Sequence, residues 1–445
     1  MKTLIKWLSL IMLIAVLGVI GNYYRYRFVP MVKVGTPERI QYKTIEGYSD
    51  QLSYNRLDTV KLKLRALSAG KGIVYQLLGN GNKTAIDTFK IEPIDQKIDS
   101  TQSEYGCKWE TTHTLPLTNN YQSGYYQIEL LNEKDSSAIN FIIANKSTSK
   151  VVVLAPISTW LAYNDWGGKS LYVNNYESKT VYTVAAQRPN SMAISPIESH
   201  IVNFFSEYYD ADLLPDYYLE EHPEAMMQYD VIVLAYHAEY FTQKMVDHLT
   251  SLVQNGHKSL ISLGGNQMYW KTKWNADYTI MECRKDLTSF EESLFDYGGM
   301  WRHHLNQSEH HLLGVRYSVE GIHTYAPYRV SSPDHWIYAN THVNESTLFG
   351  KTGITSRGIS GDETDKIVKL KSNMTVLAKG QNCEENVSGK DLNDCIQASG
   401  ADFVITEYDG HCVLSTGSIE SGAGLITDSV FTTMIHNFMT RMLKH

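Results

Sequence analysis

The chain has 445 residues, a formal net charge of −8 and a charged fraction of 20%. Its length predicts two or three domains. The apolar and charged fractions are those of a globular protein, which excludes an intrinsically disordered chain. The acidic balance, without any basic tract, argues against nucleic acid as a partner.

Residues 1–28 have the pattern of an export signal or a membrane anchor. Two lysines precede the apolar run Trp7–Ile20, and two arginines follow it. The run is short for a full span, and no clear small-residue cleavage site follows it. A cleaved signal and an uncleaved anchor therefore both stay open. In either case we expect a secreted or membrane-anchored protein whose body faces the periplasm or the exterior.

The cysteines and paired histidines give weak signals. The five cysteines include no CxxC pair, which argues against a cysteine zinc site. Cys383 and Cys395 flank a polar loop and are the best disulfide pair in an exported chain. His303-His304 and His310-His311 resemble metal pairs, but they lack a regular spacing, so we interpret them as surface histidines.

Residues 34–148 have the pattern of an antiparallel β-sandwich. Short alternating runs such as Thr59–Ala66, Ile73–Leu78 and Tyr125–Leu131 are separated by turn-rich stretches. No catalytic motif appears before the end of this region. A structural or interface role is therefore its default interpretation.

At Lys150 the pattern changes. Val151–Pro156 is a continuous apolar run, as expected for a strand that is buried on both faces. Glu198–Tyr208 has helical periodicity, with three large apolar residues on one face. We therefore predict that residues 150–445 form a second, α/β domain.

Tyr229–Asn266 is the clearest unit in the sequence. It reads as an apolar strand to His237, a helix that Thr242 caps, and a second apolar strand to Gly265. Strands that alternate with helices of this length predict a doubly wound, mostly parallel α/β sheet.

The rest of the chain is less regular. Residues from about 267 to 400 are rich in Trp, Tyr and His, and we interpret them as an insertion that covers the edge of the sheet. Ala401–Tyr408 and Cys412–Ile419 are predicted to be closing strands. Asp428–Leu443 is predicted to be a final amphipathic helix.

Polar residues follow three of the predicted strands. They lie in Ser158–Gly168, in His237–Tyr240 and at Asn266. In parallel α/β sheets, ligands bind beyond the carboxyl ends of the strands, so we expect these segments to converge. A histidine can transfer protons near neutral pH, and a carboxylate can bind metal or orient water.

Each of these residues also has a plain structural interpretation. His237 and Glu239 could simply be polar strand-end groups that bond loop amides, and we weigh the two interpretations about equally. Asn266 suits a turn as well as a site. The chain has no Gly-x-Ser-x-Gly turn and no phosphate-binding glycine loop, so serine-nucleophile chemistry lacks its usual signature.

From about Glu46 to the end, the chain resembles the large (β) subunit of N,N-dimethylformamidase and its relatives. The matching strings, in this order, are SGYY (123–126), STWLAYNDWGG (158–168), SLY (170–172), RP (188–189), YHAEYF (236–241), GGNQMYW (264–270), GDETD (361–365) and TGSIESGAGL (416–425). The combination of AYNDWGG, His-x-Glu-Tyr and Gly-Gly-Asn is specific, whereas no single string is.

The resemblance implies a β-sandwich joined to a class I glutamine-amidotransferase-like α/β domain. It further implies one mononuclear ferric iron ion, held by two tyrosines and one glutamate. Carried over string by string, these ligands fall on Tyr126, Tyr163 and Glu239, although Tyr125 adjoins the first and leaves that choice open. Phenolate and carboxylate oxygens are hard ligands that suit ferric iron.

The resemblance also implies four residues that support catalysis. They are His237, Asn266, Lys285 and Glu363, of which the last two match in the looser insertion. Enzymes of this family have a separate small subunit, which this chain lacks. The flanks of the His-x-Glu string also depart from the family's Gly-His-Asp-Glu-Tyr-Trp, so the pocket wall differs.

Two functional hypotheses follow. The first is an iron-dependent hydrolase of a C–N bond in a small linear amide, tethered through its N-terminal segment and open to a small-subunit partner or to homo-oligomerisation. The second is a membrane-tethered binding or scaffold protein, for glycans or a protein partner, that has kept the fold without turnover.

Overall fold

The computed structural model describes residues 33–34, 42–145, 147–174, 182–190, 192–285, 299–302, 307–318, 321, 323–381 and 400–443. The predicted N-terminal segment (1–28), the pair His303-His304 and the predicted disulfide pair, Cys383 and Cys395, lie outside these ranges. Among the helices within them, none is long and apolar enough to cross a membrane.

The N-terminal region consists mainly of strands. They are β1 (Lys33–Val34), β2 (Ile45–Ser49), β3 (Ser53–Asn55), β4 (Thr59–Ala66), β5 (Gly70–Leu77), β6 (Lys83–Ile91), β7 (His113–Pro116), β8 (Gly124–Asn132) and β9 (Ser136–Ala144), with a short helix α1 (Gln102–Tyr105) and a 3₁₀ turn (Gly79–Gly81). The sheet β2-β4-β7 and the sheet β3-β9-β8-β5-β6 share one apolar core. Alternate residues of β4 are buried, which is why this strand reads as period two in the sequence.

The next region brings the longer helices. Its elements are β10 (Val151–Ala155), α2 (Ile157–Tyr163), a 3₁₀ turn (Trp166–Gly168), β11 (Val173–Asn174), β12 (Thr183–Ala185), α3 (Pro196–Tyr209), β13 (Asp212–Pro215), α4 (Tyr218–Glu221), a 3₁₀ helix (Pro223–Gln228), β14 (Val231–Tyr236), β15 (Tyr240–Thr242), α5 (Gln243–Gln254) and β16 (Ser259–Gly264).

Short strands dominate the C-terminal region. Its elements are β17 (Trp270–Trp274), β18 (Ile280–Glu282), α6 (His310–Leu313), β19 (Val315–Ser318), β20 (Tyr328–Val330), a 3₁₀ turn (Trp336–Tyr338), β21 (Leu348–Phe349), β22 (Thr364–Ile367), β23 (Met374–Gly380), β24 (Asp402–Glu407), β25 (Cys412–Ser415), a 3₁₀ helix (Ile419–Gly424) and α7 (Ser429–Met442).

The predicted doubly wound, mostly parallel α/β fold of the class I glutamine amidotransferase type is wrong. The chain is β-rich, with strands in several sheets and few helices. The largest sheet has the order β13-β10-β14-β16-β25-β24-β23-β20-β21, and only its first five strands are parallel. The other four pair antiparallel. Continuous apolar runs indicate burial on both faces, and burial does not fix strand direction.

The presumed insertion explains the error. Instead of covering the edge of the sheet, its strands β20, β21 and β23 extend that sheet. Its strands β17 and β18 join β12 and β15 in a separate four-stranded sheet. The division into domains 34–148 and 150–445 stays a prediction. One apolar core cluster contains Tyr125 and Ile142 of the first region and Val153 of the second, so the two regions pack against each other.

The strand–helix–strand prediction for Tyr229–Asn266 is confirmed. Strands β14 and β16 are parallel neighbours, with Tyr236 opposite Gly264. The Thr242 hydroxyl accepts a hydrogen bond from the Met245 backbone N–H at 3.2 Å, so this residue does cap α5. The register places the residues after both strands side by side at the same edge.

The large sheet is buried on both of its faces. Alternate residues of β10 belong to two different core clusters, one of which includes α3 and α7, while the other includes α5. Three cysteines in the described part of the chain, Cys107, Cys283 and Cys412, are free and buried.

Candidate functional site

The turn after β14 presents His237 and Glu239. The last residue of β14, Tyr236, has a φ of +59°, a strained conformation for a bulky side chain. The side chain of Gln267 fixes the turn, since it accepts from the Ala238 N–H at 2.7 Å and donates to the Tyr236 carbonyl at 3.1 Å. A residue from the segment that follows the parallel strand β16 therefore stabilises the strained end of β14.

Helix α2 supplies the third side chain from the opposite side. Its last residue is Tyr163. Within the same helix, the Thr159 hydroxyl accepts a hydrogen bond from the Glu239 backbone N–H at 2.9 Å. Helix α2 thus supplies the Tyr163 side chain and also positions the backbone of Glu239, to which Tyr163 donates.

Tyr163, His237 and Glu239 are in direct contact. The Tyr163 hydroxyl donates to Glu239 Oε2 at 2.5 Å and lies 3.2 Å from His237 Nε2. His237 Nε2 lies 3.5 Å from Glu239 Oε2. The other ring nitrogen, Nδ1, lies 3.1 Å from the Gly265 carbonyl, so it carries the proton and donates to that oxygen.

Asn266 joins this group from the adjacent strand end. It has a φ of +52°, and its backbone N–H donates to Asp365 Oδ1 at 2.8 Å. Its side-chain nitrogen donates to Glu363 Oε2 at 2.8 Å and approaches Glu239 Oε1 at 3.4 Å. The amide oxygen is buried and has no hydrogen-bond partner among the described residues.

Lys285 is a buried cation at the same place. It is 3% exposed, and its ammonium group donates to the Tyr240 hydroxyl at 2.5 Å. The ammonium group also lies 4.5 Å from the ring centre of Trp270 and 6.0 Å from that of Tyr172. Burial lowers the pKa of Lys285.

The acidic and basic groups shift one another's pKa values. Burial alone would lower the pKa of His237, but its hydrogen bond to Glu239 and the charges of Glu239 and Glu363 raise that pKa to about 9. Burial opposes ionisation of Glu239 too, yet the bond and charge of His237 lower its pKa. Burial and the charge of Glu239 raise the pKa of Glu363. Burial, followed by the charge of Glu239, raises that of Tyr163.

These side chains line a cavity of about 510 Å³, called the His237 cavity below. Its lining residues are Tyr163, Tyr172, Tyr236, His237, Glu239, Asn266, Tyr269, Trp270, Lys285, Tyr317, His323, Asp362, Glu363 and Ile419. Six of the seven predicted site residues are therefore together: His237, Asn266, Lys285, Glu363, Tyr163 and Glu239.

The seventh, Tyr126, lies elsewhere. It is fully buried in the sandwich core, stacks on Phe141, and donates its hydroxyl to the Gln122 carbonyl at 2.9 Å. Tyr125 faces the opposite way and packs against Trp160 of α2. Neither tyrosine lines the His237 cavity. The role of Tyr126 as a ligand stays a prediction.

Several residues that the structure brings to the site had no predicted role. Tyr172 and Trp270 surround Lys285, and Gln267 and Asp365 hold the two strand ends. Each of the four falls inside a string that carries the family resemblance. Their presence in these strings was the signal in the sequence that could have identified them. Only the structure distinguishes the residues that line the cavity from those that support it.

Comparison with known proteins identifies a family. The family model described as N,N-dimethylformamidase beta subunit-like, C-terminal, matches residues 76–430. This match spans most of the chain and includes every element that contributes to the His237 cavity. No curated protein matches the chain.

Proposed function

Because the chain belongs to the N,N-dimethylformamidase beta subunit-like, C-terminal family, we propose that it hydrolyses a C–N bond in a small linear amide. The observation that carries this proposal is the His237 cavity itself. It gathers paired acidic and basic side chains with opposed pKa shifts in one buried place, an arrangement typical of proton-transfer sites.

Hydrolysis moves one proton from the attacking water to the leaving amine. Glu363 is suited to carry it, since burial raises its pKa and its carboxylate lies 3.8 Å from His237 Nε2. His237, held by the Gly265 carbonyl, balances the negative charge that its two glutamate neighbours bring. Asn266 would hold the developing oxyanion, and for that its side-chain N–H groups must leave the carboxylates of Glu363 and Glu239 that they face.

We further propose iron as the cofactor. Among the described residues there is no group of three His, Cys, Asp or Glu side chains placed to hold a metal ion. The phenol of Tyr163 and the carboxylate of Glu239 nevertheless supply two adjacent hard oxygen donors, which fit ferric iron. Iron bound there would polarise the amide carbonyl and acidify a bound water. Tyr126, the third ligand that the family resemblance implies, does not line the His237 cavity, so the proposal depends on Tyr163 and Glu239.

Two further parts of the proposal concern the protein's surroundings. The family is described as beta subunit-like, which supports a separate small subunit as partner. The charged and apolar pattern of residues 1–28 supports export or anchoring, with the body outside the cytoplasm.

The decisive experiment measures metal and activity on the purified full chain. We expect near-stoichiometric iron by mass spectrometry, a visible tyrosinate-to-iron absorption band, and release of an amine from N,N-dimethylformamide or a related linear amide. The variant Tyr163→Phe removes a donor oxygen, so it should lose both the band and the turnover.

Tyr317→Phe is the matched control, because Tyr317 lines the same cavity but is not a proposed iron ligand. It should retain iron and the absorption band. Folded wild-type protein that takes up no iron and releases no amine, with and without added ferrous salt, would overturn the proposal. A Tyr163→Phe variant with an unchanged band would overturn the ligand assignment alone.

A further inference from the structure

A second large cavity lies away from the His237 cavity. It has a volume of about 540 Å³ and lies between three segments: residues 50–55, residues 214–222 and residues 274–279. We call it the Tyr217 cleft. None of the residues that line it lines the His237 cavity, so the two are separate cavities.

Three aromatic rings pack together at the Tyr217 cleft. Tyr217 and Tyr278 are stacked with their ring centres 5.4 Å apart. Trp274 lies 5.8 Å from Tyr217 and 5.9 Å from Tyr278. Tyr54 and Tyr218 line the same space. Aromatic faces carry negative electrostatic potential, which attracts cations.

Tyr278 is held in an unfavourable backbone conformation to reach this position. Its φ is +52°, and its N–H donates to the Asn275 carbonyl at 3.1 Å. The Asn275 side chain accepts from the N–H groups of Thr279 and Ile280 at 2.8 and 2.9 Å. A left-handed conformation at a bulky residue is costly, and it persists only where neighbouring bonds enforce it.

The charges around the cleft are one-sided. Asp50, Glu221 and Asp277 line it, and its described lining residues include no lysine or arginine. The one basic side chain among them is His222, whose Nε2 lies 3.9 Å from Glu221 Oε2. After burial, the charge of Glu221 is a further cause of the raised pKa of Tyr217, and Glu220 and Glu221 together help to raise the pKa of Tyr278 to about 12. The carboxylates therefore act electrostatically on the rings that form the wall.

We propose that the Tyr217 cleft binds a small organic cation of the alkylated ammonium class. Its alkyl groups would lie against the aromatic faces, where a cation gains attraction that a neutral group does not. The carboxylates would add attraction from a distance and favour capture of the cation from solution. The volume suits a ligand of drug-like or smaller size.

The test uses choline as probe on the full chain, with titration calorimetry and ligand-observed NMR. The control ligand is the neutral isostere of choline, in which carbon replaces the quaternary nitrogen. We expect choline to bind at least about tenfold more tightly than the isostere. Its affinity should fall as salt is raised, since exposed carboxylates are screened.

Variants localise the binding. Tyr278→Ala should abolish choline binding, while Tyr278→Phe, which keeps the ring face, should retain it within a few-fold. Asp277→Asn should weaken binding and flatten its dependence on salt. Tyr105→Ala, at an exposed tyrosine that does not line the cleft, is the matched control and should bind as the wild type does.

Equal affinity for choline and its neutral isostere would overturn the proposal, as would the absence of choline binding to folded protein. Tighter binding of a neutral disaccharide than of choline would also overturn it, because aromatic rings beside carboxylates can equally stack on sugars. Circular dichroism of each variant separates loss of the fold from loss of the site.

Discussion

The His237 cavity and the Tyr217 cleft are similar in volume, and both have tyrosine, tryptophan and carboxylate side chains in their walls. They differ in where the charges lie. Glu239 is 4% exposed and touches a histidine, a phenol and an amide. The cleft carboxylates Glu221 and Asp277 are solvent-exposed. A buried carboxylate in the His237 cavity thus has an altered pKa, whereas an exposed carboxylate in the Tyr217 cleft acts as a source of long-range attraction.

Removing one carboxylate from each cavity tests this contrast most strongly. Glu239→Ala should reduce kcat/KM for amide hydrolysis by a factor on the order of 10³ or more, because it removes a proposed ligand and the partner of His237. Glu221→Ala, the same change in the cleft, should leave that value unchanged. Similar losses in both variants would contradict the functional separation of the two cavities.

Buried carboxylates should also set the dependence of stability on pH. Burial is the largest cause that raises the pKa values of Glu198, Asp216 and Asp365 to about 7. A raised folded-state pKa favours the folded protein while the group is protonated. That stability is fully present at a pH below the unfolded-state pKa of the carboxyl group and is lost as pH rises through the folded-state pKa of about 7. For Glu198 alone, the free energy of unfolding should fall by about 3 kcal/mol.

Urea unfolding at pH 5, 6, 7 and 8 checks this expectation. The raised pKa of His237 acts in the same direction, since its contribution is lost as pH rises from its ordinary range through about 9. Leu249→Ala, in the apolar core, is the control. It should lower the free energy of unfolding at every pH without changing how that free energy depends on pH. A free energy of unfolding that rises steadily with pH across this range would contradict the prediction.

A methyl group at Gly265 should disturb the His237 cavity without removing any polar atom. A Cβ there would lie 2.6 Å from the Glu363 carbonyl oxygen and 3.0 Å from the Ile419 nitrogen. We expect Gly265→Ala to cost about 1–3 kcal/mol of stability and to reduce amide hydrolysis. Gly410→Ala meets no atom within 4 Å, so it should cost only the strain of its φ of +80°, about 1 kcal/mol, and leave hydrolysis intact.

The smallest effect is expected at Tyr126. As a structural residue it would lose one buried hydrogen bond to the Gln122 carbonyl in Tyr126→Phe, worth about 1 kcal/mol in the free energy of unfolding. The iron content and visible band should then match the wild type. Loss of iron in this variant would instead establish Tyr126 as the third ligand and imply a rearrangement of the sandwich.

Sequence patterns predicted local features well and global topology poorly. The helix over Glu198–Tyr208 is confirmed as α3, and Ile201, Phe204 and Phe205, which the periodicity places on one face, are buried. The parallel register of β14 and β16 followed from two apolar runs and the helix between them. The antiparallel half of the large sheet was not predictable, because pairing between distant short strands leaves no local periodicity.

The site shows the same limit. Pattern alone placed His237, Glu239 and Asn266 together, because parallel strands end at one edge. The positions of Lys285 and Glu363 depended on the family resemblance, since both lie in irregular chain. The location of Tyr126 in the sandwich core follows from β8, where alternate residues face opposite sides. Tyr125 and Tyr126 are adjacent, so their rings enter different cores: Tyr125 enters the core of the large sheet and Tyr126 enters the core of the sandwich.

The three buried thiols of the described residues can report local unfolding. Cys107 packs with Tyr48 and Trp109, Cys283 belongs to the cluster beside the His237 cavity, and Cys412 lies in the core of the large sheet. Burial raises the pKa of each, so a thiol reagent must wait until the surrounding structure opens. Peptide-resolved labelling rates would therefore rank three regions of one chain by how often each exposes its interior.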